Sequence, residues 1–255
     1  MPAAATTSVL ITRPQPFAGE LAAVIRSQGL DPVMLDILAT KTAGNPQQLG
    51  RQIKSLLPAK QAIFTSRSAV THTFQILDPA DFNGSGIAAM GAGTARELRM
   101  HGFASVLLPA DGTNSEDLLQ LEQFSANNAG TAIIFCAPHG RGVLQRELGE
   151  RGWRVRNAET YERIIQAPKA SMLSDIRAAK QLICVFTSGT AIEACAEQLP
   201  ADIWQRMLTQ PWLVISNRLE ALARKAGADA IYETSGPDNN AISEAIRGIL
   251  VQYAG

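Results

Sequence analysis

The chain has 255 residues, of which 46% are hydrophobic and 18% charged, and its 23 Lys+Arg against 23 Asp+Glu leave a formal net charge of zero. The balance excludes a strongly basic nucleic-acid binder and an acidic disordered tail, and the apolar content excludes a disordered chain. At roughly 150 residues per domain the length predicts a little under two domains, each able to hold a core without disulfide or metal staples.

The elements alternate along the chain. Residues 9–12 predict a buried strand, and 17–28 a helix with Leu21, Val24 and Ile25 on one face and Gly29 as its stop. Residues 33–38 predict a second strand, and ATKTAGNP (39–46) a loop or linker. Residues 47–57 predict a helix, with Leu49, Ile53, Leu56 and Leu57 spaced for one face. Strands are predicted at 62–64, 87–90, 106–108 and 131–136, each followed by a helix, at 68–77, 94–101, 115–124 and 141–151. Residues 155–165 predict one extended segment, and QAPK (166–169) a second break. Helix 171–180, strand 183–186, helix 191–198, strand 212–215, helix 218–225, strand 230–232 and helix 239–252 complete the chain. Such alternation predicts an α/β fold with parallel sheets.

An internal repeat runs through this order. IFTSRSAV (63–70) matches VFTSGTAI (185–192) at an offset of 122, with four identical positions and three conservative ones. Gly102 with Val106 matches Gly227 with Ile231 at an offset of 125. The opening unit of Val9, Gly29 and Val33 is echoed near Ala132, Gly152 and Arg156. The chain therefore predicts a duplicated α/β unit in the order A, B, A′, B′. A could pair with B to give two domains in series, or with B′, leaving B and A′ as an inserted domain.

Several function classes find no residues to carry them. Cys136, Cys184 and Cys195 form no CxxC and predict buried reduced thiols. His72, His101 and His139 have no metal-ligand spacing. The start of the chain has no basic n-region, and its apolar run is too short for a signal peptide or a membrane span. The expectation is a soluble cytoplasmic protein. No Walker sequence, GxSxG elbow or HExxH occurs, and Gly91-Ala92-Gly93 is followed by Thr94, Ala95 and Arg96, which breaks GxGxxG.

Ligands of open parallel sheets bind beyond the carboxyl ends of the strands. Three strands here run into short polar residues that open a helix: Thr12 and Arg13, then Thr65 and Ser66, then Thr187, Ser188 and Thr190. Gly93, Thr94 and Ala95 open a fourth helix in the same way. Taken singly, Ser68, Thr94 and Thr190 read as N-caps, as does Ser115. Several such ends facing one cleft would form an anion-binding surface of free amides and hydroxyls. His139 and Arg141 share a turn after a strand, where Arg141 could grip a carboxylate. Tyr161, in the extended segment, reads as core packing or as a phenol at a cleft able to donate a proton.

As a set, VLITRP (9–14), IFTSRSAV (63–70), MGAGTARELRMHGF (90–103), DGTNSEDLLQL (111–121), VLQRELGERGW (143–153), Tyr161 and VFTSGTAI (185–192) resemble the uroporphyrinogen-III synthase family, in the same order over nearly the whole chain. The resemblance implies an α/β fold of two similar lobes, each a parallel sheet flanked by helices, the second inserted into the first and joined by a two-segment hinge. Domain 1 would comprise residues 1–39 and 168–255, and domain 2 residues 40–167.

The implied substrate is hydroxymethylbilane, a linear tetrapyrrole with eight carboxylates. It would be closed with loss of water and inversion of ring D through a spiro intermediate, without metal or organic cofactor. Unassisted closure gives the uninverted isomer, so orientation would be the main task. Tyr161 matches the family tyrosine thought to assist loss of the hydroxyl. Arg13, Thr65, Ser66, Gly93, Thr94, Ala95, Ser115, Arg141, Thr187, Ser188 and Thr190 become candidate carboxylate contacts. No nucleic-acid or membrane partner is expected. A monomer is expected, and transient contact with the enzyme that makes the bilane would suit an unstable substrate.

One rival reading is a two-domain binding protein that closes on a sugar or amino acid, which the 5% aromatic content disfavours. A nucleotide-linked α/β enzyme is disfavoured by the broken glycine pattern.

Overall fold

The structure, a computed structural model, describes residues 7–109, 114–138 and 142–253. The chain divides into two compact units, residues 1–39 with 164–255 (unit 1) and residues 40–163 (unit 2). It opens with β1 (Ser8–Ile11), α1 (Phe17–Ser27) and β2 (Asp31–Met34), then leaves unit 1 along β3 (Leu38–Thr42). Unit 2 contains α2 (Pro46–Lys54), β4 (Gln61–Phe64), α3 (Arg67–Thr73), β5 (Gly86–Ala89), α4 (Ala92–Met100), α5 (Ser115–Leu119), β6 (Thr131–Cys136), α6 (Val143–Glu150) and β7 (Arg154–Glu159). The chain returns along β8 (Tyr161–Ile165), which pairs with β3 in a two-stranded sheet. Unit 1 is completed by α7 (Ala170–Ala178), β9 (Leu182–Phe186), α8 (Gly189–Gln198), α9 (Ala201–Leu208), β10 (Pro211–Val214), α10 (Asn217–Ala226), β11 (Ala230–Glu233) and α11 (Asn239–Tyr253).

Both main sheets are wholly parallel. Unit 1 has the order β11-β10-β9-β1-β2, and unit 2 the order β5-β4-β6-β7. Segment A therefore pairs with B′, with Val9 opposite Ile183, and B pairs with A′, with Ile63 opposite Ile134. Aligning β10-β9-β1-β2 with β5-β4-β6-β7 puts repeated segments in equivalent places. Two copies of one motif thus build two sheets of the same topology from different ends of the repeat.

The strands read as continuous apolar runs because helices cover both faces of each sheet. Leu10 of β1 joins Cys184, Phe186 and Trp212 on one face, while Val9 and Ile11 join Leu21, Ile25 and Ile246 on the other. In unit 2, Ala62 and Phe64 face Phe82, Phe135 and Leu98, and Ile63 faces Leu118, Ile134 and Leu148. Helix α1 buries Leu21 and Ile25 as expected, with Ala18 and Ala22 in place of Val24, which is half-buried, and the chain then turns at Gly29 with φ +75°.

Four expectations are corrected. The strand read at 33–38 ends at Met34, and the first half of the linker read at 39–46 belongs to β3. β3 carries no fully buried residue, so its polar sequence gives no strand pattern; its partner β8 supplies the ladder. The extended segment 155–165 breaks at Thr160, whose amide donates to the Cys136 carbonyl while its own carbonyl accepts from Ala43. The strand read at 106–108 reduces to a single bridge between Ala88 and Leu107. Helix α9 passed unread, since eight residues with Ile203 and Met207 buried give only one apolar spacing.

Candidate functional site

In an open parallel sheet, neighbouring strands whose connections run in opposite directions leave a crevice at their carboxyl ends. In unit 2, β4 leads to β5 on one side and β6 leads to β7 on the other, which puts this switch between β4 and β6. Thr65 and Ser66 follow β4 there, and Ala137 and Pro138 follow β6. A cavity of about 450 Å³ opens at this place. Its wall includes Thr65, Ser66, Met90, Ser115, Cys136, Ala137, Pro138, Gln145, Asn157, Glu159, Tyr161 and Arg163. Four residues singled out in the sequence, Thr65, Ser66, Ser115 and Tyr161, are thus brought together.

Tyr161 opens β8 and is 3% exposed. Its Oη lies 2.9 Å from Ser66 Oγ. Ser66 is the N-cap of α3 and accepts the Ala69 amide at 3.1 Å. The phenol ring stacks with the His72 ring, with centroids 5.7 Å apart and 10° between planes. His72 is buried and spans two hydroxyls of β3, with Nδ1 3.0 Å from Thr42 Oγ1 and Nε2 2.9 Å from Thr40 Oγ1. Thr42 donates to Gln75 Oε1, so its oxygen accepts from His72; the imidazole then carries its proton on Nδ1 and accepts from Thr40 on Nε2. Burial holds the His72 pKa below its ordinary value, with a hydrogen bond to Gln75 opposing the shift.

The remaining candidates sort by what their donors already do. Thr65 has spent both, since its amide and its hydroxyl each donate to the Phe135 carbonyl. Ala95 is buried and its amide is bonded to the Gly91 carbonyl, whereas Gly93 and Thr94 fall in the first turn of α4, whose amides have no helical acceptor. Ser115 is not a cap: Asn114 caps α5, and the Ser115 hydroxyl points at Met90 Sδ, 3.6 Å away. Ser68, Thr94 and Thr190 are likewise not caps; Ser66, Gly91 and Ser188 hold those places, two or three residues nearer the strand. Arg141 and its neighbour His139 lie outside the described residues.

Arg13, Thr187, Ser188 and Thr190 belong to unit 1. There the switch falls between β1 and β9, and Arg13, Thr187 and Ser188 follow those strands. Arg13 donates to Asn239 Oδ1 at 2.8 Å and to the Pro237 carbonyl at 2.9 Å, which ties the end of β1 to the start of α11. Ser188 caps α8 by accepting the Ala191 amide.

Asn157, Glu159, Arg163, Gln145 and His72 were missed. A signal existed for three of them: positions 157, 159, 161 and 163 alternate in the extended segment, and all four line the cavity. Asn157 donates to Gln145 Oε1 at 3.0 Å. Burial, followed by the charge of Glu159, pushes the Cys136 thiol up to about 11. A second, more open space of about 410 Å³ shares Asn157 and Glu159 and adds Asn45, Gln48 and Gln52. Among the described residues, no group of three or more His, Cys, Asp and Glu could hold a metal ion. No described helix is long and apolar enough to cross a membrane.

Comparison with known proteins agrees with this picture. The family model for uroporphyrinogen-III synthase HemD matches residues 19–244. The uroporphyrinogen-III synthase of Escherichia coli K12 is 28% identical over 247 residues, which cover 94% of this chain and 100% of that protein. That of Salmonella typhimurium is 27% identical over 249 residues, with the same coverage. Among solved structures, the Helicobacter pylori uroporphyrinogen-III synthetase matches with a TM-score of 0.60 at 16% identity, covering 96% of this chain and 99% of that one. A Thermus thermophilus uroporphyrinogen III synthase variant matches with a TM-score of 0.54 at 16% identity and the same coverage. At these identities the two structures speak for the fold.

Proposed function

The chain belongs to the uroporphyrinogen-III synthase family, and on that premise we propose that the cavity at the switch of unit 2 is where hydroxymethylbilane is closed with loss of water and inversion of ring D. The observation that carries this reading is a phenol, Tyr161, on the wall of a strand-end cavity rich in polar groups. In this account Tyr161 protonates the leaving hydroxyl, which departs as water and leaves an electrophilic azafulvene. The ring D carbon that bears the terminal bridge attacks to form the spiro intermediate. The bond from that carbon to the methylene of ring C then breaks, and the methylene bonds to the free α-carbon of ring D, which loses its proton to give the inverted product. Proton transfer and orientation suffice for these steps, so the proposal assigns no metal or organic cofactor.

A volume of about 450 Å³ is that of a site for a drug-sized ligand, so the cavity is assigned the reacting end of the bilane. Ser115 and the amides of Gly93 and Thr94 are proposed to hold its carboxylates, with Thr65 and Ala95 as walls whose donors are used internally. Arg13, Thr187, Ser188 and Thr190 are proposed contacts for further carboxylates, and Arg141 is carried in the same role. A cytoplasmic location, a monomeric state and passing contact with the enzyme that supplies the bilane belong to the same proposal.

The test is incubation with freshly made hydroxymethylbilane followed by separation of the uroporphyrinogen isomers. Type III is expected from the wild-type protein, with slower turnover once the cavity is filled by Ser115→Phe. Type I alone would refute the reading.

A further inference from the structure

We propose that Ser66 is a positioning residue for Tyr161: its hydroxyl accepts the Ala69 amide and donates to the phenol oxygen, so that the phenol's own proton is turned into the cavity. The inference rests on the reading of Tyr161 as the acid, and it deepens that reading by assigning the direction of one hydrogen bond.

The geometry argues for this direction. Ser66 Oγ is 3.1 Å from the Ala69 nitrogen and 2.9 Å from Tyr161 Oη. A backbone amide can only donate, so it occupies a lone pair of the serine oxygen. The serine hydrogen then has the phenol oxygen as its partner among the described residues. A phenol oxygen that accepts this hydrogen keeps its own hydrogen for another acceptor, and both side chains line the same cavity.

The result is a chain of donors that starts at the N-terminus of α3, a seven-residue helix, and runs through Ser66 to Tyr161. When the phenol gives its proton to the leaving hydroxyl, the phenolate keeps the serine hydrogen bond. A hydrogen bond to a charged group is stronger than one to a neutral group, so this contact strengthens as the proton leaves. The His72 ring, stacked with the phenol and anchored to Thr40 and Thr42, fixes the ring plane in which the donor acts. Among the described residues, the other ionisable groups at the cavity are Cys136 on β6, Glu159 on β7 and Arg163 on β8. Serine substitution leaves all of them in place.

The test titrates the phenol directly. Its absorbance change is isolated by subtracting the matching protein that carries Tyr161→Phe, which removes the other two tyrosines from the signal. Ser66→Ala is expected to move the titration up by about one pH unit and to lower kcat roughly tenfold, with KM within about twofold. Ser66→Asp keeps an acceptor for the Ala69 amide but has no hydrogen to give. It keeps the helix cap and is expected to raise the titration further than Ser66→Ala, because the carboxylate beside the phenol opposes the phenolate in addition to the loss of the donor. Ser66→Thr restores both functions and is expected to recover the titration and most of kcat.

In a Tyr161→Phe background, Ser66→Ala should cost less than about twofold more. An unmoved titration in Ser66→Ala overturns the inference, as does an equal loss of kcat with and without the phenol. Full turnover by Tyr161→Phe alone would instead defeat the reading of Tyr161 as acid, while the titration would still decide the hydrogen bond.

Discussion

Phe64 and Phe135 are register partners on β4 and β6, and their rings stack with centroids 4.5 Å apart and planes 8° from parallel. The pair lies directly beneath the switch of unit 2. The Phe135 carbonyl accepts both the amide and the hydroxyl of Thr65, so the aromatic floor and the polar rim are one construction. A rim of small polar residues can hold its shape only while the layer below it is full.

Removal of that layer should therefore be felt as stability. Phe135 is fully buried and also touches Phe82, with centroids 5.6 Å apart. Phe135→Ala is expected to lower the unfolding free energy by about 3–5 kcal/mol. Urea denaturation checks this through the shift in midpoint at unchanged slope. A loss below about 1 kcal/mol would mean that the core collapses around the vacancy.

The repeat makes a paired prediction. Gly102 follows α4 with φ +95°, and Gly227 follows α10 with φ +93°. Nothing lies within 4 Å of a Cβ built on Gly102, and only ordinary contact with Leu208 is met at Gly227. Alanine at either place should thus be opposed by backbone conformation rather than by a clash, at about 1–2 kcal/mol each. Thermal unfolding of the two single variants and their double checks both the size and the additivity.

His72 sets a dependence on acid. Its folded-state pKa lies below the ordinary 6.5 because burial opposes the charged form. As pH falls through 6.5 the unfolded chain takes up the proton before the folded one does. The contribution is complete above that pH and is lost as pH drops toward the folded value. His72→Gln should therefore be less stable than wild type at pH 8 and lose less on going from pH 8 to pH 5. Urea midpoints at the two pH values measure the difference of slopes.

The sequence shows most of the fold where strands are buried on both faces. Residues 9–11, 63–64 and 183–186 announce themselves because each strand is apolar without interruption. It does not show β3, because a strand without a buried face carries no hydrophobic pattern and is set by its partner alone. In the site, Thr65, Ser66 and Tyr161 were legible as strand-end polar residues and as a motif. His72 was not, since its role comes from Thr40 and Thr42, some thirty positions earlier in the chain. The caps of α4 and α5 were each misread by one to three residues, because serine and threonine inside a first turn look the same in sequence as at the cap itself.

The central claim is that the Tyr161 phenol supplies the proton that releases the bilane's hydroxyl. Single-turnover closure of hydroxymethylbilane by Tyr161→Phe measures it most directly, with the product isomers resolved. Turnover roughly a hundredfold slower, still giving the type III isomer, is the expected result, since a positioned acid contributes about that much and orientation is preserved. A rate equal to that of the wild-type protein would contradict the account.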